Sequence, residues 1–583
     1  IKNGRKMKIV GFQSGHDVSY CILEDGIPIV HEELERFSRE KEPPGCGLKF
    51  FFERNPDIKK GDIAGFAYGN MLNPNLDPFS VLDENSYHMA RELCPEPIGY
   101  YEHHLCHAAN AFYTSDFEDC LIFTVDGGGN GVFYIDMVSE NNERISSIKG
   151  IIAESMGVFK GLGKNISNDI AYHLYTDGAP KFNIPKDFLD QIPPGGRLEK
   201  PNFMVLNLGR LWNNVTEKVF GLSIGHPKGN QAGTVMAMAT MGEPHYSHML
   251  VDHEHQMAQL IRSDHPLWNE WKKIADKSEQ DAFDVAASLQ KYTEDTFFKI
   301  LTPYIEEHRP KNICFSGGVS LNCVMLAKIK EQFPVVENVF CDPVPYDGGL
   351  SLGAARLMWH MDFKKERTYN NPANQNPYLG VTYAQADVEK SIDDHTDSVI
   401  TTSVTDEQVL HHLLDNKIVS VFGGGAESGR RALGNRSILA NPCSKDMKQI
   451  INDKVKHRQW YRPFAPSILI EEVEEWFETF YNSPYMSFAP KFKEEVRDKI
   501  PAVVHADGTG RLQTVDKKLN PWYHSFISQW HKISGVPILL NTSFNDREPI
   551  VETPEHAINC FLRTNIDYLY FYDYGLLVEK KTS

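Results

Sequence analysis

Short apolar runs broken by glycine-rich polar turns recur along this chain and predict its elements. In Lys8–Leu23 two β-rich runs flank the polar turn Gln13–Asp17, the signature of a hairpin, and IPIVHEELE continues it as a third strand after Asp25-Gly26. ERFSREKE follows with Arg36, Arg39 and Lys41, which read as solvated charges at a helix start. LIFTV, ending at Val125, reads as a buried strand, and similar runs precede Ser316-Gly317-Gly318, Asp347-Gly348-Gly349 and Asn541-Thr542-Ser543. Apolar residues three and four apart over Ala282–His308 predict a long amphipathic helix, and small residues over Ala232–Gly242 a tightly packed one. Between Asn141 and Asn230 the periodicity is weak and Gly and Pro are frequent, which suggests helices, long loops and a lid in KFNIPKDFLDQIPPGGRLEKP. The Pro/Asn-rich stretch Lys364–Gly380 reads as a domain linker.

At 583 residues the chain exceeds one core, so two domains of unequal size are expected, at 7–365 and 381–583 around a linker at 366–380. Hydrophobic content of 41% and charged content of 24% are those of ordinary globular proteins. No apolar run approaches the ~18 residues of a membrane span, and IKNGRKMKIV lacks an apolar signal core, with Met7 read as the natural start. The ten cysteines form no CxxC pair, which favours a reducing, cytoplasmic compartment. A net charge of −18 counts against a broad nucleic-acid footprint but allows a local basic pocket.

The candidate chemistry concentrates in YEHHLCHAANAFYTSDFEDCLIFTVDGGGNG, Tyr101 to Gly131. His103 and His107 stand at i and i+4, on one face of a helix, so both imidazoles can converge on one ion; His104 could equally be the ligand. Asp126 closes the strand, and the glycines after it allow the tight turn and close approach that a phosphate needs. Asp347 opens a second Asp-Gly-Gly turn, and we expect it at the place matching Asp126 in a second, similar half. Two His and two carboxylates suit iron(II), manganese or zinc. Gly317 and Gly318, at a strand-to-helix turn, would aim backbone N–H groups at an anion. Farther on, Arg430, Arg431, Arg436, Arg462 and Arg511 stand beside glycines and apolar strands. Arg431, Arg436, Arg462 and Arg511 read as an anion pocket, while Lys456 and Arg458 taken alone read equally well as surface. At the other end of the chain, His16 or Asp17 would meet a substrate at the hairpin mouth, with Lys41 nearby. A strand-hairpin-strand opening with a polar tip, repeated as strand-Asp-Gly-Gly, is the layout of the actin, sugar-kinase and heat-shock ATPase fold, in which two halves clasp a nucleotide.

Eight blocks in order, HHLCHAANAFY, VDGGGNG, GGVSLNC, DGGLSLGAA, GRRALGNRSIL, YRPFAPSIL, DGTGRLQTV and LLNTSFN, resemble the nodulation and antibiotic-type O-carbamoyltransferases, the family of the tobramycin and cephalosporin enzymes. The resemblance implies an α/β chain with an actin-like N-terminal domain akin to tRNA threonylcarbamoyl transferases and an α/β YrdC-like C-terminal domain. It implies that carbamoyl phosphate and ATP give carbamoyl-adenylate and pyrophosphate, after which an acceptor hydroxyl takes the carbamoyl group. By position, Arg431, Lys456, Arg462, Arg511, Asn541 and Ser543 would hold carbamoyl phosphate. Gly127, Gly128, Gly317, Gly318 and Asn322 would lie along the adenylate. His103, His107, Asp126 and Asp347 would hold a divalent metal, iron(II) first, with manganese, zinc or magnesium as alternatives. His16, Asp17 and Lys41 would serve catalysis, His16 as general base. Arg430 is a departure, since relatives usually carry Pro there. The acceptor is expected to be a natural product, a sugar or a hydroxymethylated nucleobase, the last kept despite the net charge, and a homodimer is left open. The rival readings are an actin-fold kinase or ATPase, a tRNA threonylcarbamoyl-type transferase and a nucleotide-gated scaffold.

Overall fold

The structure is a computed structural model that describes residues 6–69, 82–94, 98–138, 144–167, 174–175, 197–199, 207–251 and 263–581. The expected lid lies outside them, save residues 197–199. Strand β1 (Lys8–Gln13) pairs antiparallel with β2 (Ser19–Glu24), and β2 with β3 (Ile27–Glu33). On its other side β1 runs parallel to β4 (Gly65–Tyr68), and β4 to β5 (Gly99–Tyr100), giving the order β3-β2-β1-β4-β5. A second sheet repeats this plan. Its β6 (Asp119–Val138) pairs antiparallel with β7 (Arg144–Leu162), and β7 with β8 (Asn165–Ser167). Parallel strands β9 (Asn312–Ser316) and β10 (Asn338–Cys341) complete the order β8-β7-β6-β9-β10. The duplicated hairpin-plus-parallel sheet is the actin and sugar-kinase fold expected from the sequence.

Helix α1 (His103–Thr114) follows β5. The expected helices over Ala232–Gly242 and Ala282–His308 are α2 (Ala232–Ala239) and α3 (Glu279–His308), the latter capped by Ser278, whose side chain accepts from the Asp281 N–H. Helix α4 (Leu350–Leu357) follows β10 as α1 follows β5. Ile9 and Cys21 of the first sheet, Cys106 and Phe112 of α1, Ile122 and Cys314 of the second sheet, and Leu352 and Ala355 of α4 share one core, so both helices lie between the sheets. Their contact needs Gly353, where a Cβ would stand 2.0 Å from the Cys106 carbonyl oxygen.

A third, eight-stranded mixed sheet follows. It comprises β11 (Val399–Ser403), β12 (Val419–Phe422), β13 (Arg436–Ala440), β14 (Ala465–Leu469), β15 (Gln513–Val515), β16 (Ile538–Ser543), β17 (Tyr568–Phe571) and β18 (Leu576–Lys580), in the order β11-β18-β17-β12-β13-β16-β14-β15. Helix α5 (Pro521–Ser534) covers one face with Tyr523, Phe526, Ile527 and Trp530, all fully buried. Asn520 caps its start, and Gly535 ends it at φ 75°. This is a mixed α/β unit, as expected for the C-terminal part of the chain. Among the described residues no helix is long and apolar enough to cross a membrane.

One expectation is corrected here. Arg36 and Arg39 are not solvated. Arg36 is 3% exposed and donates to the carbonyls of Glu427 (3.1 Å) and Gly429 (2.7 Å), while Arg39 donates to those of Pro549 (2.6 Å) and Ile550 (2.8 Å). The stretch Lys364–Gly380, read as a domain linker, is docked on the chain at both ends. Arg367 donates to the carbonyls of Phe112 (2.8 Å), Ser115 (2.6 Å) and Phe117 (2.8 Å), and Tyr378 donates its hydroxyl to the Leu433 carbonyl at 3.0 Å. In both cases backbone carbonyls take up the side-chain donors.

Candidate functional site

The first residue of α1 and the residue one turn on, His103 and His107, point their Nε2 atoms into the junction of the two sheets, 3.1 Å apart. Asp126 Oδ2 lies 3.0 Å from His103 and 3.7 Å from His107, and Asp347 Oδ1 lies 3.5 Å from each ring. All four ligand atoms fall within 4.8 Å of one another, and all four residues are buried. His104 is excluded from the group, because its Nδ1 is bonded to the Thr124 hydroxyl at 2.8 Å. The Nδ1 atoms of His103 and His107 are buried with no hydrogen-bond partner among the described residues. Burial pulls His107 down, but the Asp126 and Asp347 carboxylates outweigh it and raise that ring to about 9. Burial likewise works against Asp126, yet His103 and His107 hold it well below the usual carboxylate range. Two imidazoles and two carboxylates converging on one buried point fit a divalent cation and do not single out iron(II) over manganese or zinc.

Asp126 and Asp347 do not occupy matching places, contrary to expectation. Asp126 interrupts β6, the counterpart of β1, whereas Asp347 precedes α4, the counterpart of α1. Matching places belong instead to Asp126 and the His16-Asp17 end of β1, and to Asp347 and His103. The Asp-Gly-Gly-Gly stretch is also not a strand-ending turn but an irregularity in β6, which breaks register between Val125 and Gly129.

Backbone packing accounts for several glycines in this region. Gly317, at φ 90°, would place a Cβ 2.2 Å from the Val125 carbonyl oxygen, and the Gly318 N–H donates to Asp126 Oδ1 at 3.0 Å. The expected anion cradle there is therefore occupied by Asp126 itself. Gly127 has no neighbour within 4 Å of a built Cβ, and its carbonyl accepts from Asn207 Nδ2 at 2.9 Å; Gly128 lies at φ 147°. Asn322 caps the turn Cys323–Leu326 by accepting from the Met325 N–H (3.1 Å), and its amide donates to Gln290 at 2.9 Å.

A second site lies between α2 and the third sheet. Arg430, Arg431, Arg458, Arg462 and Arg511 line a cavity of about 140 Å³ with His505, Asn541, Thr542, Ser543 and Cys323, and no acidic side chain lines it. Burial, then Arg511, lowers Arg431 to about 9 and Arg462 to about 10; burial, then Arg462 and Arg511, puts Arg458 far below the ordinary arginine range. A guanidinium keeps its proton, so these directions measure how strongly the crowded cations favour an incoming anion. Burial and the neighbouring cations lower His505 to about 4, so it stays neutral. Arg511 Nε donates to Cys323 Sγ at 3.2 Å. Lys456 stands behind the lining, donating to the Asn545 carbonyl (2.8 Å) and Oδ1 (2.7 Å) and to the Ser543 carbonyl, and so braces the loop that carries Ser543.

Arg436 does not belong to this pocket. It is fully buried, 3.6 Å from the Phe422 ring centre, and donates to the carbonyls of Gly423 (2.7 Å) and Asn435 (3.0 Å). Arg458, His505, Thr542 and Cys323 were not singled out as pocket residues from sequence; a third basic residue within five positions of Lys454 was the available signal for Arg458.

The hairpin mouth joins the two sites. His16 is 67% exposed and sits with Nε2 3.4 Å from Asp347 and Nδ1 3.1 Å from Asp17. Asp347, then Asp17, raises that ring to about 10. His16 is not among the charged groups that act on Lys41: burial lowers its affinity for a proton, Glu35 and Glu42 oppose that, and Arg462 and Arg430 add to it.

Residues 10–356 match a family model described as Carbamoyltransferase N-terminus, and residues 410–579 one described as Carbamoyltransferase C-terminus. The nodulation protein NolNO of Sinorhizobium fredii is 30% identical, with 97% of this chain and 79% of that protein aligned. An uncharacterized Synechocystis protein, sll1178, is 29% identical over 95% of this chain and 94% of its own length. Among solved structures, HypF of T. kodakarensis is 14% identical, covering 63% of this chain and 49% of that one, at a TM-score of 0.32. A ROK family glucokinase from Streptomyces griseus is 11% identical over 60% and 98%, at 0.28. Both structural likenesses are too distant to carry an inference about function.

Proposed function

Since this chain belongs to the carbamoyltransferase family, matching its N-terminal and C-terminal models in turn, we propose that it is an ATP-dependent O-carbamoyltransferase working in two steps. In the arginine cavity a water oxygen attacks the phosphorus of carbamoyl phosphate, the bridging P–O bond breaks, and phosphate and carbamate form. A carbamate oxygen then attacks the α-phosphorus of ATP, the bond to the β-phosphate oxygen breaks, and pyrophosphate leaves. At the junction of the two sheets an acceptor hydroxyl attacks the carbamoyl carbon and AMP leaves. The observation that carries this reading is the cavity lined by five arginines and no carboxylate, joined through Arg430, Asp17 and His16 to the buried His103, His107, Asp126 and Asp347.

Each role rests on this chain's own groups. Arg431, Arg462 and Arg511 bind the phosphate and carbamoyl oxygens, with Arg458, Asn541 and Ser543 lining the same cavity. Carbamate is unstable free in water, so forming it in a closed cavity beside ATP protects it. Gly127, Gly128, Gly317, Gly318 and Asn322 border the space we assign to the adenylate. His16 takes the acceptor proton and Asp17 orients it. We assign Lys41 to the anion side, within reach of Arg462 and Arg430 as well as of Glu35 and Glu42. A divalent ion held by His103, His107, Asp126 and Asp347 would polarise the carbonyl and phosphate oxygens and take up the Asp347 charge that holds the His16 proton. We divide the chain into an actin-like transfer domain at 7–365, a connector at 366–380 and an adenylate-forming domain at 381–583. We place it in the cytoplasm because all ten cysteines are free thiols.

The test is product analysis with carbamoyl phosphate and ATP. Pyrophosphate and phosphate, dependent on carbamoyl phosphate, are expected, with AMP following when an acceptor is supplied. Release of ADP would refute this reading in favour of a kinase. A mass-spectrometric screen of hydroxyl compounds for products heavier by one carbamoyl group then identifies the acceptor among natural products, sugars and hydroxymethylated bases.

A further inference from the structure

Arg430 is where the two sites meet. It lines the arginine cavity, yet its charge is already matched: its guanidinium donates to Asp17 Oδ1 at 2.5 Å and lies 2.9 Å from Glu42 Oε1. The side chain is 22% exposed, and those of Asp17 and Glu42 are 9% and 10% exposed. The guanidinium also lies 4.2 Å from the ring centre of Tyr346, the residue before Asp347. Two contacts carry the chain on from Asp17: His16 at 3.1 Å, and from its other nitrogen Asp347 at 3.4 Å. A charge sequence therefore runs from the cavity wall through Arg430, Asp17 and His16 to a carboxylate of the buried cluster. The peptide that bears Arg430 is fixed as well, because the Gly429 N–H donates to Glu33 Oε2 at 3.1 Å and the Gly429 carbonyl accepts from Arg36 at 2.7 Å.

A cation that already has two carboxylates is a poor permanent anion ligand, unlike Arg431 and Arg462, whose guanidiniums have no hydrogen-bond partner among the described residues. It is well suited to exchange partners. We propose that Arg430 is a positioning residue that couples the two half-reactions. Paired with Asp17 and Glu42, it closes the boundary between the arginine cavity and the junction of the two sheets. Exchanging those carboxylates for the phosphate of carbamoyl-adenylate, it opens that boundary only while the activated group occupies it. This rests on the carbamoyl-adenylate reading above and adds a role that neither site has alone. Without the pair, water reaches the adenylate: a water oxygen attacks the carbamoyl carbon, the bond to the phosphate oxygen breaks, AMP leaves, and the carbamate decays to ammonia and carbon dioxide.

The test needs no acceptor. Full-length protein receives carbamoyl phosphate and ATP, and two rates are read: carbamoyl-phosphate-dependent exchange of labelled pyrophosphate into ATP, and release of AMP. In the unaltered protein exchange outruns AMP release. In Arg430→Met the ratio of AMP release to exchange rises by about tenfold or more, and Asp17→Asn, which breaks the same pair from the other side, gives the same rise. Arg430→Lys, which keeps a cation for one carboxylate, stays within about threefold of the unaltered protein. A loss of fold alone lowers both rates together and leaves their ratio in place. A ratio within about twofold of the unaltered value in both Arg430→Met and Asp17→Asn overturns the inference. So does loss of exchange in Arg430→Met alone, which would make Arg430 one of the anion-binding arginines. Absence of exchange in the unaltered protein instead overturns the carbamoyl-adenylate reading, and this inference with it.

Discussion

Replacing Arg462 by Met should make the empty protein more stable and its anion response weaker. Arg462 is lowered to about 10, by burial first and then by Arg511, with no carboxylate lining the cavity to offset it. At 1.36 kcal/mol per tenfold change in acidity, that lowering is worth about 3 kcal/mol. Water reaching the half-buried head screens part of it, which leaves about 1–2 kcal/mol to be recovered when the charge is removed. Met keeps most of the stem's volume, and the backbone carbonyl of residue 462 still accepts from Asn452. For a unit of about 200 residues each kcal/mol moves the melting temperature by about 2–4 °C, so the variant without ligand should melt a few degrees higher. Inorganic phosphate at about 100 times its Kd should stabilise the unaltered protein by about 2.7 kcal/mol and the variant by less than half as much. Phosphate should therefore shrink or reverse the gap between the two melting temperatures. A variant that melts lower without phosphate, or that keeps the full phosphate response, would refute the view of this cavity as a set of crowded cations awaiting an anion.

Three further outcomes are expected. His107→Ala should lose bound metal by mass spectrometry of the purified protein, while His104→Ala, whose ring serves Thr124, should keep it; full metal content in His107→Ala would remove the cluster from consideration. Gly317→Ala forces a side chain onto φ 90° and 2.2 Å from the Val125 oxygen, which should cost about 1–3 kcal/mol in chemical denaturation; an unchanged midpoint would contradict that packing. His505 is lowered to about 4, so between the ordinary histidine value near 6.5 and about 4 the unfolded chain binds a proton that the fold refuses, and stability falls as pH falls through that window. The loss should reach about 2 kcal/mol at pH 5, His505→Gln should flatten the melting-temperature slope there, and an unaltered slope would count against a neutral buried His505.

What the sequence disclosed follows from how local each feature is. The i, i+4 spacing of His103 and His107 and the position of Asp126 at the end of LIFTV are local, and both survive into the structure. The pairing of Asp126 with Asp347 as equivalents was misread because two Asp-Gly-Gly turns look alike in one dimension; only strand order shows that one interrupts β6 and the other precedes α4. Arg436 and Arg431 stand five positions apart in the same glycine-rich stretch, yet one is spent on backbone carbonyls under Phe422 and the other faces the cavity. No propensity separates them, because the difference lies in which carbonyls the distant fold leaves without partners. Lys456 carries a charge legible from sequence, but its role as a brace for the Ser543 loop depends on a strand almost ninety positions later. Cys323 and His505 reach the cavity from segments remote in sequence and gave no signal of their own.

The clamp made by Arg36 and Arg39 has a bearing on how this chain can be divided. Four backbone carbonyls, at Glu427, Gly429, Pro549 and Ile550, are capped by donors from a segment near the opposite terminus. Severing the polypeptide within residues 366–380 would leave those oxygens to water and turn an intramolecular embrace into an encounter between two molecules, at the loss of a millimolar-scale effective concentration. Separately expressed fragments should thus need one another in excess to recover the wall around Arg430, which makes the fusion of the two units a requirement of their shared boundary as much as of their genetics.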